Sequence, residues 1–490
     1  MRNVTNPQLQ LGELDIADIH IDTRSRDDIP QLLQGLQALY TDKALRAELF
    51  SILEKLTPDN IRTEQGRPGM TLWSILVMGT LKLNLNCDYD RLLELANQHK
   101  TLRQMLGHGL IDDDKTYCLQ TVKDNVQKLT PEILDEINAN CSASRSIVKK
   151  KETLSARCDS FVVETNVHYP TDINLLYDAL RKVITLTADY ADHHDIIGWR
   201  QSQYNLRQVK RACRHAQQLK RSNSRDETKK RQRDKRIAQA HQETIDLCQR
   251  FITKSQATLA VVLPHLSLTD ALLALQIEGF IQHAQRQMEQ IDRRVLQGEK
   301  IPHSEKVFSL FEPHTEWINK GKAGVPVELG LKVCVLESSQ GYILHHRVME
   351  NETDNQIAVE MIREAQKKYP ELNACSFDKG FHSPANQLGL AELLDQVILP
   401  KKGRCNKQEQ DKENSPEFRS GRKQHSAVES GINALEVHGL DKCLDHGLEG
   451  FKRYIALAVV ARNIQKMGSE IIQEKRLKQA REKEKPRRQS

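Results

Sequence analysis

Arg157-Cys158-Asp159-Ser160-Phe161-Val162-Val163-Glu164 is the stretch on which the fold turns. Phe161, Val162 and Val163 suit a pleated, half-buried surface, so a strand is expected over about 154–167. The loop Tyr169-Pro170-Thr171-Asp172 closes it, with Asp172 read as the cap of the next helix. A carboxylate inside such a run calls for a reason. Two more acids stand in comparable places. Asp378 follows Ala374-Cys375-Ser376-Phe377, read as a second strand. Glu429 lies in His425-Ser426-Ala427-Val428-Glu429-Ser430-Gly431, read as a late helix.

Three carboxylates drawn together can hold two divalent ions, an arrangement suited to phosphodiester chemistry. Oxygen donors suit Mg²⁺ or Mn²⁺. Without metal the same acids would repel one another and hold their protons more tightly. Taken singly, each has an ordinary reading: a loop or cap aspartate, a solvated glutamate. Their joint context makes the case. Glu164, Asp172 and Glu328 compete for the role. Glu164 is five residues past Asp159, so strand alternation sends it to the opposite face.

Working outward, strand signals recur at Val307-Phe308-Ser309-Leu310-Phe311, at 327–336, at 342–348 and at Val397-Ile398-Leu399-Pro400. Ser338-Ser339-Gln340-Gly341 reads as a hairpin turn between the second and third of these. Helical spacing lies between the later strands, with Asp354 read as a cap. An α/β fold follows, with a mixed sheet covered by helices. Residues 1–150 read as an N-terminal helical, DNA-binding domain, with a turn at Gly66-Arg67-Pro68-Gly69 and Thr71 as a helix cap. Residues 151–468 form the expected catalytic domain, with a helical insertion at about 190–300. Residues 469–490 read as a basic, frayed or unstructured tail.

Charge is unevenly spread. The whole chain carries only +6, but residues 199–236 hold 14 Lys and Arg against 3 Asp and Glu. Such a cluster suits a polyanion. Lys210, Arg211 and Arg214 belong to it. Lys320, Lys322, Lys401, Lys402, Arg404, Arg422 and Lys423 lie in expected loops flanking the acids, and all ten are candidate DNA contacts. His168, His382 and His425 neighbour the acids without zinc-ligand spacing. The ten cysteines form no CxxC pair, and no signal-peptide core or membrane-spanning run is present, so a cytosolic protein is expected. No phosphate-binding glycine loop points to ATP.

The stretches Asp159–Asp172, Asp378-Lys379-Gly380-Phe381-His382-Ser383 and His425–Ser430, continued by Gly439-Leu440-Asp441 and Gly450-Phe451, resemble a DDE transposase of a bacterial insertion sequence, ISNCY-type. The resemblance covers roughly residues 60–468. It implies a ribonuclease H-like core, Mg²⁺ (or Mn²⁺) dependence, Asp159, Asp378 and Glu429 as metal-binding catalytic acids, and binding of terminal inverted repeats and target DNA. A homodimer in the active complex is expected. Some relatives carry a Tyr-Arg-Glu-Lys signature; here position 425 is His and position 436 is Glu. Two other readings share the fold: a DNA-binding derivative without catalysis, and a metal-dependent nuclease without strand transfer.

Overall fold

Strand β1 (Leu154–Thr165) lies at the centre of a seven-stranded mixed sheet. The computed structural model describes residues 2–6, 8–9, 12–57, 69–109, 114–143, 154–220, 226–262, 267–319 and 326–484. The other strands are β2 (Glu316–Asn319), β3 (Val327–Ser338), β4 (Ile343–Met349), β5 (Leu372–Phe377), β6 (Gln396–Ile398) and β7 (Lys442–Cys443). On one side β1 pairs antiparallel with β3, which pairs antiparallel with β4. On the other side β5 runs parallel to β1, and β6 parallel to β5. The β3–β4 hairpin turns where expected, and Gly341 takes φ +86°, a conformation that strains any side-chained residue.

Two compact units divide the chain: residues 1–166 with 318–490, and residues 167–317. This differs from the expected cuts at 150 and 468. In the first unit the N-terminal helices share one apolar core with the sheet, running from Val4 to Ile471. Its axis is the C-terminal helix Gly447–Glu484, whose Ile455, Ala458, Val459, Val460 and Ala461 are fully buried. The helix Asp28–Thr41 crosses it at backbone contact. A Cβ on Gly35 would lie 2.0 Å from the Ile464 carbonyl oxygen, and one on Gly468 1.8 Å from that of Gln31. Asn463 ties the C-terminal helix to the sheet, accepting from the Ile343 amide (3.0 Å) and donating to the Ile343 carbonyl (2.9 Å). The second unit has its own core, in which Leu176, Val183, Val209, Cys248, Ile252 and Ile277 are buried. It is built on the helices Asp172–His193, Ser202–Leu219, Glu227–Val262 and Leu268–Ile291.

Several local expectations need correction. Residues 307–311 form no strand, because the Ser309 hydroxyl accepts the amides of Phe311 (3.2 Å) and Glu312 (3.0 Å) and turns the chain. The expected basic loop after residue 400 contains two helices, Lys407–Glu413 and Pro416–His425. Asn406 caps the first in a capping box with Glu409, and Ser415 caps the second ahead of a first-turn proline. Thr171, not Asp172, is the cap of its helix, and Thr353, not Asp354, caps the helix Asp354–Lys368. The C-terminal helix continues to Glu484, so the expected tail is helical over most of its length. Thr71 caps the helix Leu72–Asn84 as expected. Gly66-Arg67-Pro68 lies outside the described residues, and Lys320 and Lys322 do as well.

Candidate active site

Pairing register places the first two acids. Between β1 and β5 the ladder matches Arg157 to Ser376 and Cys158 to Phe377, so the next residues on the two parallel chains are Asp159 and Asp378. Asp378 remains extended (φ −76°, ψ 163°) and heads a short turn over Lys379–Phe381. Alternation along β1 puts Arg157 and Asp159 on one face, and Cys158 and Ser160 on the other.

The third acid arrives on the helix Ala427–Leu435, which packs on the Arg157 face. Its close approach depends on Gly431, where a Cβ would lie 2.4 Å from Glu337 Oε1. Glu337 is buried and receives Arg157 Nη1 at 3.3 Å. The missing side chain therefore lets the helix settle onto this ion pair and carry Glu429 towards the strand ends.

The electrostatics of Asp159 reflect both burial and its acidic neighbours. Asp159 has its pKa pushed up to about 6, first by burial, and further by the charges of Asp378, Asp354 and Glu429. The Ser160 amide, donating to Asp159 Oδ1 at 2.8 Å, partly offsets this. Asp378 and Glu429 are exposed and carry no ion pair among the described residues. Among the described residues, no three His, Cys, Asp or Glu side chains close into a metal-holding set as they stand. The donor chemistry still fits a hard divalent cation: the acids are all oxygen donors, the charges of the other two help raise the proton affinity of Asp159, and two have unengaged side chains.

Further side chains surround the acids. Asp354, read from sequence as a cap, is a fourth carboxylate: Ser160 Oγ donates to its Oδ1 (2.7 Å) and Lys332 Nζ to its Oδ2 (3.0 Å). His425 Nδ1 lies 3.0 Å from Ser376 Oγ, and burial lowers its pKa against the pull of Asp378 and Glu429. A cavity of about 250 Å³, which none of these acids lines, runs between β1, β5, β6 and the helix Pro416–His425, lined by Arg157, Ser376, Gln396 and Gln424 among others. Register alone could have exposed Asp354, Lys332 and Arg157; nothing in their local sequence marks them.

The remaining expectations divide. Glu164 faces away from Asp159 and pairs in register with Gly330 and Lys442. Asp172 is engaged by Arg294 at 2.7 Å. Glu328 lies near the start of β3. His168 is 3.4 Å from Asp178, and His382 is half-buried just beyond the Asp378 turn. Lys401 is bound to Glu409 at 2.6 Å, so its charge is spent internally. Lys402, Arg404, Arg422 and Lys423 are exposed without ion pairs among the described residues, as are Lys210, Arg211 and Arg214 in the second unit. All ten cysteines are free thiols, and among the described residues no helix is long and apolar enough to cross a membrane. Compared with known proteins, the chain matches no family model, no curated protein and no solved structure.

Proposed function

We propose that this chain is a transposase of the DDE class, with a ribonuclease H-like core, which cuts DNA at the ends of an insertion sequence and joins the freed 3′ ends to target DNA. The observation that carries the reading is the parallel register setting Asp159 beside Asp378, with the Glu429 helix lowered onto the same face. An antiparallel trio leading into parallel strands supports the core assignment.

In this reading Asp159, Asp378 and Glu429 would hold two Mg²⁺ (or Mn²⁺) ions, which would supply activation of the attacking oxygen and stabilisation of the leaving one. The exposed side chains of Asp378 and Glu429 would have to turn inward to join half-buried Asp159. Lys402, Arg404, Arg422 and Lys423 contact phosphates beside the acids. Lys210, Arg211 and Arg214 contact phosphates elsewhere on the duplex. Two copies hold two element ends in the active complex, in the cytoplasm at the nucleoid.

Duplex DNA carrying element ends, incubated with the protein and Mg²⁺, tests this. Asp159→Ala should lose cleavage by about 10²–10³-fold or more, in line with removal of a principal electrostatic group, while end binding in a gel shift persists. Normal cutting by Asp159→Ala would overturn the assignment. Free 3′ ends that never join to target would instead make the protein a nuclease. End binding by the wild type with no cutting in Mg²⁺ or Mn²⁺ would make it a non-catalytic DNA-binding derivative.

A further inference from the structure

Asp354 touches both segments that deliver the aspartates. On the β1 side it accepts the Ser160 hydroxyl at 2.7 Å, and the amide of that same Ser160 holds Asp159 Oδ1 at 2.8 Å. On the β5 side its carboxylate lies against the turn that follows Asp378: a Cβ on Gly380 would lie 3.1 Å from Asp354 Oδ2. From β3, Lys332 Nζ reaches the same oxygen at 3.0 Å. Asn386, which is buried, fastens the arrangement by donating to the carbonyls of Asn355 (2.6 Å) and Phe381 (2.7 Å). It thereby pins the first turn of the Asp354 helix to the Asp378 turn.

Each Asp354 oxygen accepts one donor, so the carboxylate is held at both ends by the protein. Its charge is partly met by Lys332, although it still adds to the repulsion felt by Asp159. Ser160 and Asp159 point to opposite faces of β1, so anchoring the Ser160 hydroxyl on one face fixes the peptide whose N–H orients the Asp159 carboxylate on the other. Partners that orient a ligating side chain are commonly worth about 10–100-fold in metal affinity.

We infer that Asp354, held by Lys332 and Ser160, is a positioning residue that braces Asp159 and the Asp378 turn for metal binding. The brace rests on the reading of Asp159, Asp378 and Glu429 as the metal-holding acids. It also explains Gly380: a side chain there would press on the Asp354 carboxylate.

Mn²⁺ titration of the full chain, followed by electron paramagnetic resonance, tests the inference, with thermal melting in EDTA run beside it. Asp354→Ala should weaken Mn²⁺ binding about 10-fold or more while keeping a cooperative melt near that of the wild type. Ser160→Ala, which removes one hydroxyl, should move in the same direction. Lys332→Met should weaken binding, and Lys332→Arg should restore much of it. Wild-type affinity in both Asp354→Ala and Ser160→Ala would overturn the brace while leaving the acid trio standing. Loss of affinity only in step with loss of the cooperative melt would overturn it too, as a purely structural contact. If Asp159→Ala binds Mn²⁺ as the wild type does, or the wild type binds none, the trio itself fails and the brace with it.

Discussion

A carboxyl that ionises near pH 6 rather than 3.8 carries a stability consequence of definite sign. Between those values the folded chain keeps a proton on Asp159 that the unfolded chain has released. The folded state therefore binds more protons there, and stability falls as pH rises. The contribution is fully present below 3.8 and lost above about 6. Its ceiling is about 3 kcal/mol at 1.36 kcal/mol per pH unit. Asp159→Asn should thus make the metal-free protein harder to unfold in urea at pH 7.5, by about 1–3 kcal/mol, and leave it nearly unchanged at pH 3.5. Saturating Mn²⁺ should reverse the order at pH 7.5, since only the aspartate version gains from binding. Equal wild-type and Asn stabilities in EDTA at both pH values would mean that burial and the neighbouring acids do not raise the Asp159 pKa.

Glycines govern the packing of whole helices here, and they do so by what they lack. Gly431 seats the helix of Glu429 on Glu337, while Gly35 and Gly468 bring two helices to backbone contact. Gly468→Ala must push the Asp28–Thr41 helix away or bend one of the two. We expect a loss of about 1–3 kcal/mol, the usual cost of overpacking, seen as a lower melting temperature. Gly279, in the helix Leu268–Ile291, has nothing within 4 Å of a built Cβ. Gly279→Ala should gain about 0.5–1 kcal/mol from helix propensity alone. The same substitution, opposite in sign at two helical sites, is checked by calorimetry on the two variants.

For the whole molecule, core membership decides what can fold apart. The N-terminal helices bury Leu32, Leu36, Leu76 and Leu81 in the same core as β1, β3 and the C-terminal helix. A fragment of residues 1–150 should therefore lack a cooperative melt by circular dichroism. A fragment of residues 167–317, with its separate core, should show one. A stable 1–150 fragment would mean that its share of the core can close on itself.

Much of the site is legible in the sequence, because its chemistry-bearing residues sit in short stretches with strong local character. Asp159 stands in a β-branched and aromatic run, Asp378 at the end of an apolar run, and Glu429 on an amphipathic pattern, and it is their joint context that marks them as candidates. The basic stretch from 199 to 236 is likewise visible as a count of charges. Local composition misleads where capping chemistry outweighs it, as at Ser309 and at the two helices after residue 400. Tertiary structure alone decides the rest. Register between β1 and β5 sets two distant aspartates side by side, and register between β1 and β3 brings Lys332 to the Ser160 face, where the helix beginning at Asp354 meets it. The N-terminal helices join the central core for the same reason: pairing and burial depend on segments far apart in the chain, and no local pattern encodes which distant partner a strand or helix will take.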